Sequence, residues 1–453
     1  MIQFDELYRQ LNPSQKEAVD TIEGPVMVIA GPGTGKTQIL TLRIANIVRK
    51  TDTHPDAILA LTFTESGAHA MRKRLLDIMG SGAYRVAIHT FHGFCNDVIQ
   101  NYPEEFPLII GSLPALPVDQ IRMMEEIILR ATLERLKPYG DPFYYLRGAL
   151  KAISELKREN ISPDLFDERV RESEKVFKSR DDLFHTKGAH KGKMKGAAQD
   201  EQKQIEKNTE LALLYREYQA ALRANKSYDY EDMIMEVVRV LEKNSDLLLR
   251  LQETHHYILA DEHQDANSAQ NRLLELLSNF HANPNLFIVG DEKQAIFRFQ
   301  GASLENFLYF KRLYPEARRI DLTENYRSSQ GVLDSAHSLI LRAPGDASLR
   351  IALHANQTFI PDPLRVVSLA SQEEESRFVA EEIAVLFAEG IPYHEIAVLY
   401  RDNKDAESVA LELSRAGIPY GIESDENILR DPIILKLVLL LRAIHTYGDE
   451  ELL

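Results

Sequence analysis

The stretch PVMVIAGPGTGKTQILTLRIANIVRK (25–50) changes character twice along its length. Its first six residues are apolar and rich in β-branched side chains, which is typical of a strand buried on both faces. The residues after Lys36 repeat apolar side chains every three or four positions, which predicts a helix. The glycine-rich turn between them therefore joins a strand to a helix, and this strand–loop–helix unit predicts an α/β fold.

The turn has the composition of a phosphate-binding loop. Its three glycines allow tight bends in which successive N–H groups face phosphate oxygens, and the following helix adds the positive end of its dipole. Lys36 can reach terminal phosphates, and the Thr37 hydroxyl can bind Mg²⁺. An ordinary glycine-rich turn is the alternative, which the strand, the helix and the Lys-Thr pair disfavour. The predicted nucleotide-binding residues of this loop are Ala30, in place of the usual first glycine, with Gly31, Pro32, Gly33, Thr34, Gly35, Lys36, Thr37 and Gln38.

Further short apolar runs are bounded by Gly, Pro or polar residues, and most precede a helical pattern. Strands that alternate with helices predict a parallel sheet with helices on both faces. The additional predicted strands are 57–63, 84–90, 256–261, 285–291, 364–370 and 395–401.

A second polar segment, ILADEHQDAN (258–267), places carboxylates directly after an apolar run. Asp261, at the end of the predicted strand, can hold Mg²⁺, and Glu262 can orient and deprotonate an attacking water. Two adjacent acids also suit a helix N-terminus, which is the structural alternative. Together with the phosphate-binding loop, the pair favours magnesium-dependent nucleotide hydrolysis.

Two later segments carry amides and arginines that suit the same chemistry. Gln294 follows another strand and could sense the terminal phosphate, although it could equally be an ordinary loop residue. Arg327 could stabilise a transferring phosphate, and Tyr326 could stack on a base, although a surface Tyr-Arg pair is the alternative. The aromatic pair around Arg298 suits stacking on single-stranded nucleic acid, whereas a core position is the commoner fate of phenylalanine.

Composition restricts the class of protein. The 453-residue chain has a net charge of −16, which disfavours a general nucleic-acid coating protein but allows a narrow nucleic-acid groove. The single cysteine, Cys95, excludes an internal disulfide and is typical of a reducing compartment. The first residues show no secretion signal, and no apolar run approaches the ~20 residues that span a membrane. We therefore expect a cytoplasmic protein, and we interpret the apolar segment 433–444 as a core helix.

The alternation of strands and helices is interrupted between about residues 102 and 225, where helical periodicity dominates. We interpret this region as a helical insertion. Its segment 178–195 has six Lys or Arg against two Asp and could contact a nucleic-acid backbone, or form a solvated loop. The α/β pattern resumes after about residue 320, but with few strands, which predicts an incomplete second α/β domain.

In this order and spacing, several segments resemble superfamily 1 DNA helicases of the UvrD/Rep type. The resemblance covers nearly the whole chain and implies a DNA-dependent ATPase that uses ATP and Mg²⁺. It also implies movement along single-stranded DNA, usually 3′ to 5′, and unwinding at junctions of single- and double-stranded DNA. The matching segments are LNPSQKEAV (11–19), AGPGTGKT (30–37), LTFTESGAHAMRKRL (61–75), TFHGFC (90–95), YDYEDMI (228–234), DEHQDAN (261–267), VGDEKQAIFRFQGA (289–302) and ENYRSS (324–329).

The resemblance implies roles by position. Gln15 is similar to the glutamine that reads adenine, and Tyr326 to the tyrosine that stacks on it. Lys36 and Thr37 correspond to the phosphate and magnesium contacts, and Asp261 to the magnesium-binding aspartate.

Three further residues resemble the catalytic group of the family. Glu262 corresponds to the catalytic glutamate, Gln294 to the glutamine that couples to the γ-phosphate, and Arg327 to the first arginine finger. Four aromatic residues match positions that line the path of single-stranded DNA, namely Phe63, His92, Phe297 and Phe299.

The family fold implies RecA-like ATPase domains that carry inserted helical domains. We predict a first RecA-like domain from residues 1–101 and 226–320, an inserted helical domain at 102–225, and a partial second RecA-like domain at 321–453. The later motifs of the second motor domain have no match that we recognise, so we expect a fragment of a longer motor with little unwinding activity of its own.

Several residues depart from the family pattern. Glu65-Ser66 replaces the usual Asn-Lys, Phe299-Gln300 replaces Trp-Arg, and Gln38 replaces Arg. Each change removes charge or stacking area, so DNA is expected to be held more weakly or by other residues. Two rival functions stay open: the motor subunit of a recombination helicase–nuclease, and a nucleotide-regulated DNA-binding protein that does not unwind.

Overall fold

The computed structural model describes residues 4–185, 187, 191–280, 283–294, 305–342, 350–357, 364–403, 405–422 and 432–445. The chain forms two compact units, which comprise residues 1–362 and 363–453. The first unit is built around a parallel sheet in the order β3-β2-β6-β7-β1-β8. Its strands are β1 (Val26–Ala30), β2 (Ile58–Thr62), β3 (Ala87–Thr90), β6 (Tyr257–Ala260), β7 (Leu286–Gly290) and β8 (Arg318–Leu322).

The other described strands are two-residue pairs. They are β4 (Leu113–Pro114) with β5 (Ser227–Tyr228), and β9 (Glu324–Asn325) with β10 (His354–Ala355). The helices of the first unit are α1 (Phe4–Arg9), α2 (Pro13–Asp20), α3 (Lys36–Lys50), α4 (Glu65–Met79), α5 (Phe91–Asn101), α6 (Pro117–Arg130), α7 (Leu146–Arg158), α8 (Pro163–Lys178), α9 (Gly196–Ala224), α10 (Tyr230–Lys243), α11 (Ser245–Thr254), α12 (Ser268–Ser278), α13 (Glu305–Leu313) and α14 (Gln330–Ile340). The second unit contains α15 (Gln372–Ala388), α16 (Asp405–Arg415) and α17 (Pro432–His445).

The sheet separates two hydrophobic cores. Successive side chains of a strand point to opposite faces, and in β1 Met27 and Ile29 join one core while Val26 and Val28 join the other. Helices α5, α10, α11, α12 and α13 cover the first face, and α1 to α4 cover the second. The central strands β1, β2, β6 and β7 are buried throughout, which explains their continuous apolar runs. The predicted α/β class with a parallel sheet is therefore confirmed.

The helical character of 102–225 is also confirmed. Helices α6, α7 and α9 pack around their own apolar cluster, which includes Met124, Ile153 and Tyr215. At its junction with α10, the fully buried Lys157 ammonium binds the carboxylates of Asp229 and Asp232. Pairing of this kind is required, because an unpaired buried charge would be strongly destabilising.

The basic segment 178–195 is partly paired and partly exposed. Arg180 contacts Asp182 and Glu201, and Phe184 bridges Met194 across a short antiparallel turn.

Two predicted strands, at 364–370 and 395–401, and the predicted core position of the apolar helix at 433–444 are wrong, and one strand was not predicted. Strand β8 was not anticipated, and it pairs with β1 across the predicted domain boundary at residues 320 and 321. The described residues of 364–370 and 395–401 carry no strand ladder. Val366 is 97% exposed and Leu399 94% exposed, so these two side chains are not buried among the residues that the structure describes.

The apolar helix α17, expected in a core, exposes Leu437, Leu439, Leu440 and Leu441. Its apolar sequence is thus not matched by burial within the described part of the second unit. In the parts of the chain that the structure describes, no helix has the length and apolar character needed to cross a membrane.

Candidate functional site

The loop after β1 and the acidic segment after β6 meet at the carboxyl edge of the sheet. Strand β7 lies between these two strands, and all three run in the same direction, so their carboxyl ends share one edge. The Lys36 Nζ lies 3.4 Å from the Glu262 Oε2. Glu262 has a left-handed backbone, with φ of 47°, which is uncommon for a residue other than glycine and is found at strained functional positions. The convergence predicted from two distant segments is therefore present.

The glycine-rich loop has the backbone conformation that its sequence predicts. Gly33 and Gly35 have φ of 71° and 90°, in the left-handed region that side chains disfavour. A Cβ on Gly33 would lie 2.6 Å from the Cβ of Arg327, so this position has no room for a side chain. The Thr34 hydroxyl donates to the Gly31 carbonyl at 2.8 Å and closes the turn. The loop and the N-terminus of α3 thus place backbone N–H groups together, as an anion-binding site requires.

Gln15 is buried and supports this loop directly. Its Nε2 donates to the Thr34 carbonyl at 2.9 Å, and its Oε1 accepts from the Asn12 backbone N–H at 3.1 Å. The Asn12 side chain caps the same helix, so α2 begins with a reciprocal capping box. The sequence predicted a residue that reads adenine; the structure shows a residue anchored between a helix cap and the loop.

The segment after β8 lies on the other side of the same loop. The Tyr326 backbone N–H donates to the Gly33 carbonyl at 2.9 Å, and the Asn325 side chain donates to the Pro32 carbonyl. The Tyr326 hydroxyl accepts from the Asn12 Nδ2 at 3.1 Å and donates to Glu324 at 2.9 Å. Tyr326 therefore lies beside both the loop and the start of α2, and the exposed Arg327 follows it.

Three carboxyl groups near Lys36 have a pKa above the usual range. Burial, followed by the charge of Glu262, raises the pKa of Asp261 to about 7, and Lys36 opposes this rise. Burial, with Glu262 again second, raises the pKa of Asp265 to about 6. Asp291 at the end of β7 also has a raised pKa, mainly because of burial. Burial is thus the largest cause of the raised pKa of all three carboxyl groups.

Two buried carboxylate oxygens at this edge have the chemistry of magnesium ligands. The Asp291 Oδ2 and the Asp265 Oδ1 are buried and have no hydrogen-bond partner among the described residues. No group of three or more His, Cys, Asp or Glu side chains in the described ranges forms a metal cage. Mg²⁺ usually takes one or two carboxylates together with phosphates and waters, so Asp261 and Thr37 suit it better than they suit a structural metal.

Gln264, which the sequence analysis did not single out, links the two acidic segments. Its Nε2 donates to the Glu262 Oε2 at 2.8 Å, and its Oε1 accepts from the Asp291 backbone N–H at 2.9 Å. A Cβ on Gly290 would lie 2.3 Å from that Oε1, so glycine is required at the end of β7. DEHQD contains one amide among three acids, but this local pattern does not show that the amide spans two strands.

The predicted sensor Gln294 lies in the turn after β7. Its side chain hydrogen-bonds to Asp291, and its backbone N–H donates to the Asp291 carbonyl at 3.1 Å. It is exposed, so its amide can reach a ligand at the same edge.

Aromatic side chains follow β2 and β3, which end at the same edge of the sheet. Phe63, directly after β2, is 38% exposed. His92, at the start of α5 after β3, stacks on Tyr230 with ring centroids 3.7 Å apart. Tyr230 is 62% exposed and was not among the predicted residues, although it lies in the quoted segment YDYEDMI. The predicted Phe297 and Phe299 lie outside the described residues.

The unusual Glu65 lies between these aromatic residues and the sheet. Its Oε1 accepts a hydrogen bond from the Thr90 hydroxyl at 2.8 Å, and Thr90 in turn caps α5. The negative charge of Glu65 helps raise the pKa of Tyr230, after the larger effect of burial. A carboxylate thus lies close to the aromatic cluster.

Comparison with protein families gives two matches. A model of the UvrD/REP helicase N-terminal domain matches residues 11–315, and a model of the UvrD-like helicase C-terminal domain matches residues 320–452. The second match does not bear out the expectation that the C-terminal motor motifs are missing.

Curated relatives agree with these matches. The ATP-dependent DNA helicase UvrD1 of Mycobacterium tuberculosis is 32% identical over 98% of this chain. The ATP-dependent DNA helicases PcrA of Staphylococcus epidermidis and Staphylococcus aureus are 29% and 28% identical, also over 98% of it. The chain spans 54% to 55% of the length of these relatives. By its sequence and by the family models that cover it, the chain belongs to the UvrD/Rep family of helicases.

Proposed function

We propose that the protein is an ATP-driven motor that moves along single-stranded DNA and separates the strands of a duplex, with 3′ to 5′ polarity. The observation that carries this proposal is the meeting of the Lys36 ammonium and the Glu262 carboxylate, 3.4 Å apart, beside Asp261. Hydrolysis of a nucleoside triphosphate needs a cation from a phosphate-binding loop and a pair of acids from another strand, and both are present here. Family membership supports ATP as the nucleotide and DNA as the track.

The phosphate end of the nucleotide is assigned to the loop after β1. Successive N–H groups of residues 33–37 bind the phosphates, and Lys36 neutralises the terminal ones. Lys36 also pairs with Glu262, so the two groups lie close enough to act on the same phosphate. Thr37 and Asp261 would hold Mg²⁺, which supplies neutralisation of the phosphate charge when bound.

Glu262 is the proposed general base. Its Oε2 contacts both the Lys36 ammonium and the Gln264 Nε2. Once phosphate takes over Lys36, the carboxylate becomes available to orient and deprotonate a water molecule. Gln294 would report the terminal phosphate, and Arg327 would stabilise the charge on it during transfer.

The base of the nucleotide is assigned to the surface between Gln15 and Tyr326. Both residues hydrogen-bond to Asn12, so an adenine between them would have an amide edge on one side and an aromatic ring on the other. The amide of Gln15 is already partly used by the loop, so adenine recognition requires a modest rearrangement of its Nε2.

The DNA path is assigned to the aromatic edge of the sheet, with Phe63, His92 and Tyr230 as stacking surfaces and with Phe297 and Phe299 as further candidates. Stacking on aromatic rings tolerates any base, as a translocating motor requires. For the domains we propose a first RecA-like domain from 1–101 and 226–320, a helical domain at 102–225, and a second RecA-like domain that begins near 321.

The proposal is tested by a pair of substitutions with different consequences. Lys36→Ala should weaken binding of ATP by at least about 100-fold, because the phosphates lose their cation. Glu262→Gln should bind ATP normally but hydrolyse it at least about 100-fold more slowly, because the general base is lost. Binding is measured with a fluorescent ATP analogue, and hydrolysis with and without single-stranded DNA.

Lys50→Ala, a surface lysine at the other end of α3, serves as the matched control and should leave both measurements unchanged. Normal turnover in Lys36→Ala would remove the assignment of the loop. ATP hydrolysis that single-stranded DNA does not accelerate would instead favour a nucleotide-regulated DNA-binding protein.

A further inference from the structure

We propose that residues 350–356, named here the strap, position Arg327 relative to Gln294, and that Glu292 and Lys293 hold the strap in place. The inference rests on the proposed function, since it deepens the account of the same site. It assigns Glu292 and Lys293 as positioning residues, which act through the strap rather than on the nucleotide. All contacts described below lie within the first compact unit.

Glu292 and Lys293 both contact the start of the strap at Ile351. The Glu292 Oε1 accepts a hydrogen bond from the Ile351 backbone N–H at 3.3 Å. The Lys293 ammonium donates to the Ile351 carbonyl and lies 3.1 Å from the His337 Nδ1 of α14. Neighbouring side chains of the turn after β7 thus hold both polar backbone groups of Ile351. Gln294, the proposed sensor, is the next residue of that turn.

The burial of Glu292 and Lys293 indicates that their contacts with Ile351 are a structural part of the fold. Glu292 is only 6% exposed, and Lys293 is partly buried. Removing a carboxylate and an ammonium from water costs free energy unless they gain partners, and the Ile351 peptide supplies one for each. A solvated turn would not need either contact.

The middle of the strap covers the phosphate-binding loop. Leu353 is buried, and its side chain occupies the space where a Cβ on Gly31 would lie, 2.5 Å from Leu353 Cδ1. Gln330 fixes the backbone here, because its Nε2 donates to the Leu353 carbonyl at 3.2 Å and its Oε1 accepts from the Ala355 N–H at 2.8 Å. The strap is therefore seated directly on the loop that would bind phosphate.

The end of the strap holds the segment that carries Arg327. Strand β10 pairs with β9, and the Asn356 N–H donates to the Asn325 carbonyl at 2.8 Å. The Asn325 Oδ1 in turn accepts from the backbone N–H of Arg327 at 2.9 Å and from that of Ser328 at 2.7 Å. A displacement of the strap would therefore move the backbone of Arg327.

These contacts form one continuous connection from the turn of Gln294, through Ile351 and Leu353, to Asn325 and Arg327. The turn that carries the proposed phosphate sensor and the residue that would stabilise phosphate transfer are thereby joined through one hydrogen-bonded segment. The physical requirement for such a device is that misplacement of a charged side chain by even 1 Å can cost a large factor in rate.

The test compares Lys293→Met with Lys311→Met, which removes the same charge from an exposed position of α13. Lys293→Met should lower the rate at saturating ATP by about tenfold, because Arg327 is less well placed. Its KM for ATP should stay within about threefold, because the loop that binds phosphate is unchanged. Hydrogen exchange of the amides at 351–356 and at Tyr326 should accelerate in Lys293→Met and stay as in the unaltered protein in Lys311→Met.

Two further variants separate positioning from general damage. Lys293→Arg can still donate to the Ile351 carbonyl and should recover most of the rate. Glu292→Leu removes the acceptor for the Ile351 N–H and should reproduce both the loss of rate and the faster exchange, even if Lys293→Met folds poorly. A variant of Lys293 or Glu292 that folds normally and keeps slow exchange across 351–356 would overturn the proposal.

Failure of the proposed function gives a different result. In that case the unaltered protein would show no ATP turnover, while the exchange measurements would still decide whether Glu292 and Lys293 hold the strap. Accelerated exchange with an unchanged rate at saturating ATP would show a strap without a positioning role and would overturn the inference.

Discussion

One edge of one sheet carries two different kinds of surface. The segments that follow β1, β6 and β7 make the edge ionic. Lys36, Glu262 and Asp291 lie close together there and are partly buried. The segments that follow β2 and β3 make the edge aromatic, with Phe63 and the stacked pair of His92 and Tyr230. The same sheet edge therefore carries the proposed phosphate site after β1 and, beyond the intervening strands β7 and β6, the proposed stacking surface after β2 and β3.

The two surfaces are held by different forces. The ionic part is fixed by hydrogen bonds between distant segments, such as those from Gln264 and Asn325. The aromatic part is held mainly by ring stacking and by helix caps at Thr64 and Thr90. Rigid hydrogen-bonded geometry suits a chemical step, whereas stacking surfaces can bind a strand that slides. The comparison predicts that substitutions in one part should leave the other part intact.

The largest effect is expected on the ionic side from Gly33→Ala. An added Cβ would lie 2.6 Å from the Arg327 Cβ and 2.8 Å from the Asn325 Nδ2, at a residue with φ of 71°. The loop must shift, so ATP should bind at least about 100-fold more weakly. Binding to single-stranded DNA without nucleotide should change by less than about twofold if the two parts are independent. Both affinities are measured by fluorescence titration.

Gly148→Ala is the matched control, since its position in α7 has open space around it. It should leave both affinities unchanged and raise the free energy of unfolding by about 0.5–1 kcal/mol, because alanine favours a helix. An equal loss of ATP and DNA binding in Gly33→Ala would contradict the division of the edge into two parts.

A smaller and opposite effect is expected on the aromatic side from Glu65→Lys. Replacing a carboxylate with an ammonium beside the proposed DNA path should raise the affinity for single-stranded DNA about five- to tenfold at low salt. The logarithm of affinity should also fall more steeply with the logarithm of salt, by about 0.7 in slope for each added phosphate contact. The affinity for ATP should not change.

Glu253→Lys makes the same charge change on α11, just before β6 begins and hence at the opposite edge of the sheet. A similar gain in affinity from this variant would show a general effect of net charge rather than a local one. No gain from Glu65→Lys would place the DNA path elsewhere.

The smallest effect is expected from acid and concerns His92. Burial, followed by the charge of Arg158, lowers its pKa to about 4, and burial does the same for His255 and His263. A histidine that is neutral in the folded protein takes up a proton on unfolding below about pH 6.5, so the folded state loses stability as pH falls from there toward 4.

His92→Phe keeps a ring against Tyr230 but removes this proton uptake. The loss of unfolding free energy between pH 7 and pH 5 should therefore be smaller in the variant by about 1–2 kcal/mol. Chemical denaturation at the two pH values measures this difference. An unchanged pH dependence would mean that the ring of His92 is solvated in the folded protein.

The sequence was sufficient for much of the first unit. Five of its buried strands were predicted because their apolar runs end in Gly, Pro or polar residues, and the phosphate-binding loop because its glycines have a specific spacing. Strand β8 escaped because RRIDL has the charged residues of an edge strand and lacks a continuous apolar run. The bridge formed by Gln264 escaped because nothing local shows that its amide spans two strands.

In the second unit the same reasoning was less successful. The segments 364–370 and 395–401 have strand-like composition, but strand formation depends on neighbours that composition does not provide. Likewise the apolar sequence of α17 predicted burial, whereas Leu439 and Leu440 are more than half exposed.

By themselves, the residues of this chain specify local events: where a strand ends, where a helix is capped, and where a backbone must turn through a glycine. These depend on sterics and hydrogen bonds within a few residues, so they are visible in a short stretch. The strand order β3-β2-β6-β7-β1-β8 is different in kind, because it arises from packing two apolar faces at once. That order brings Lys36 to Glu262 across 226 positions of chain and seats Leu353 on Gly31, and no local pattern encodes either contact.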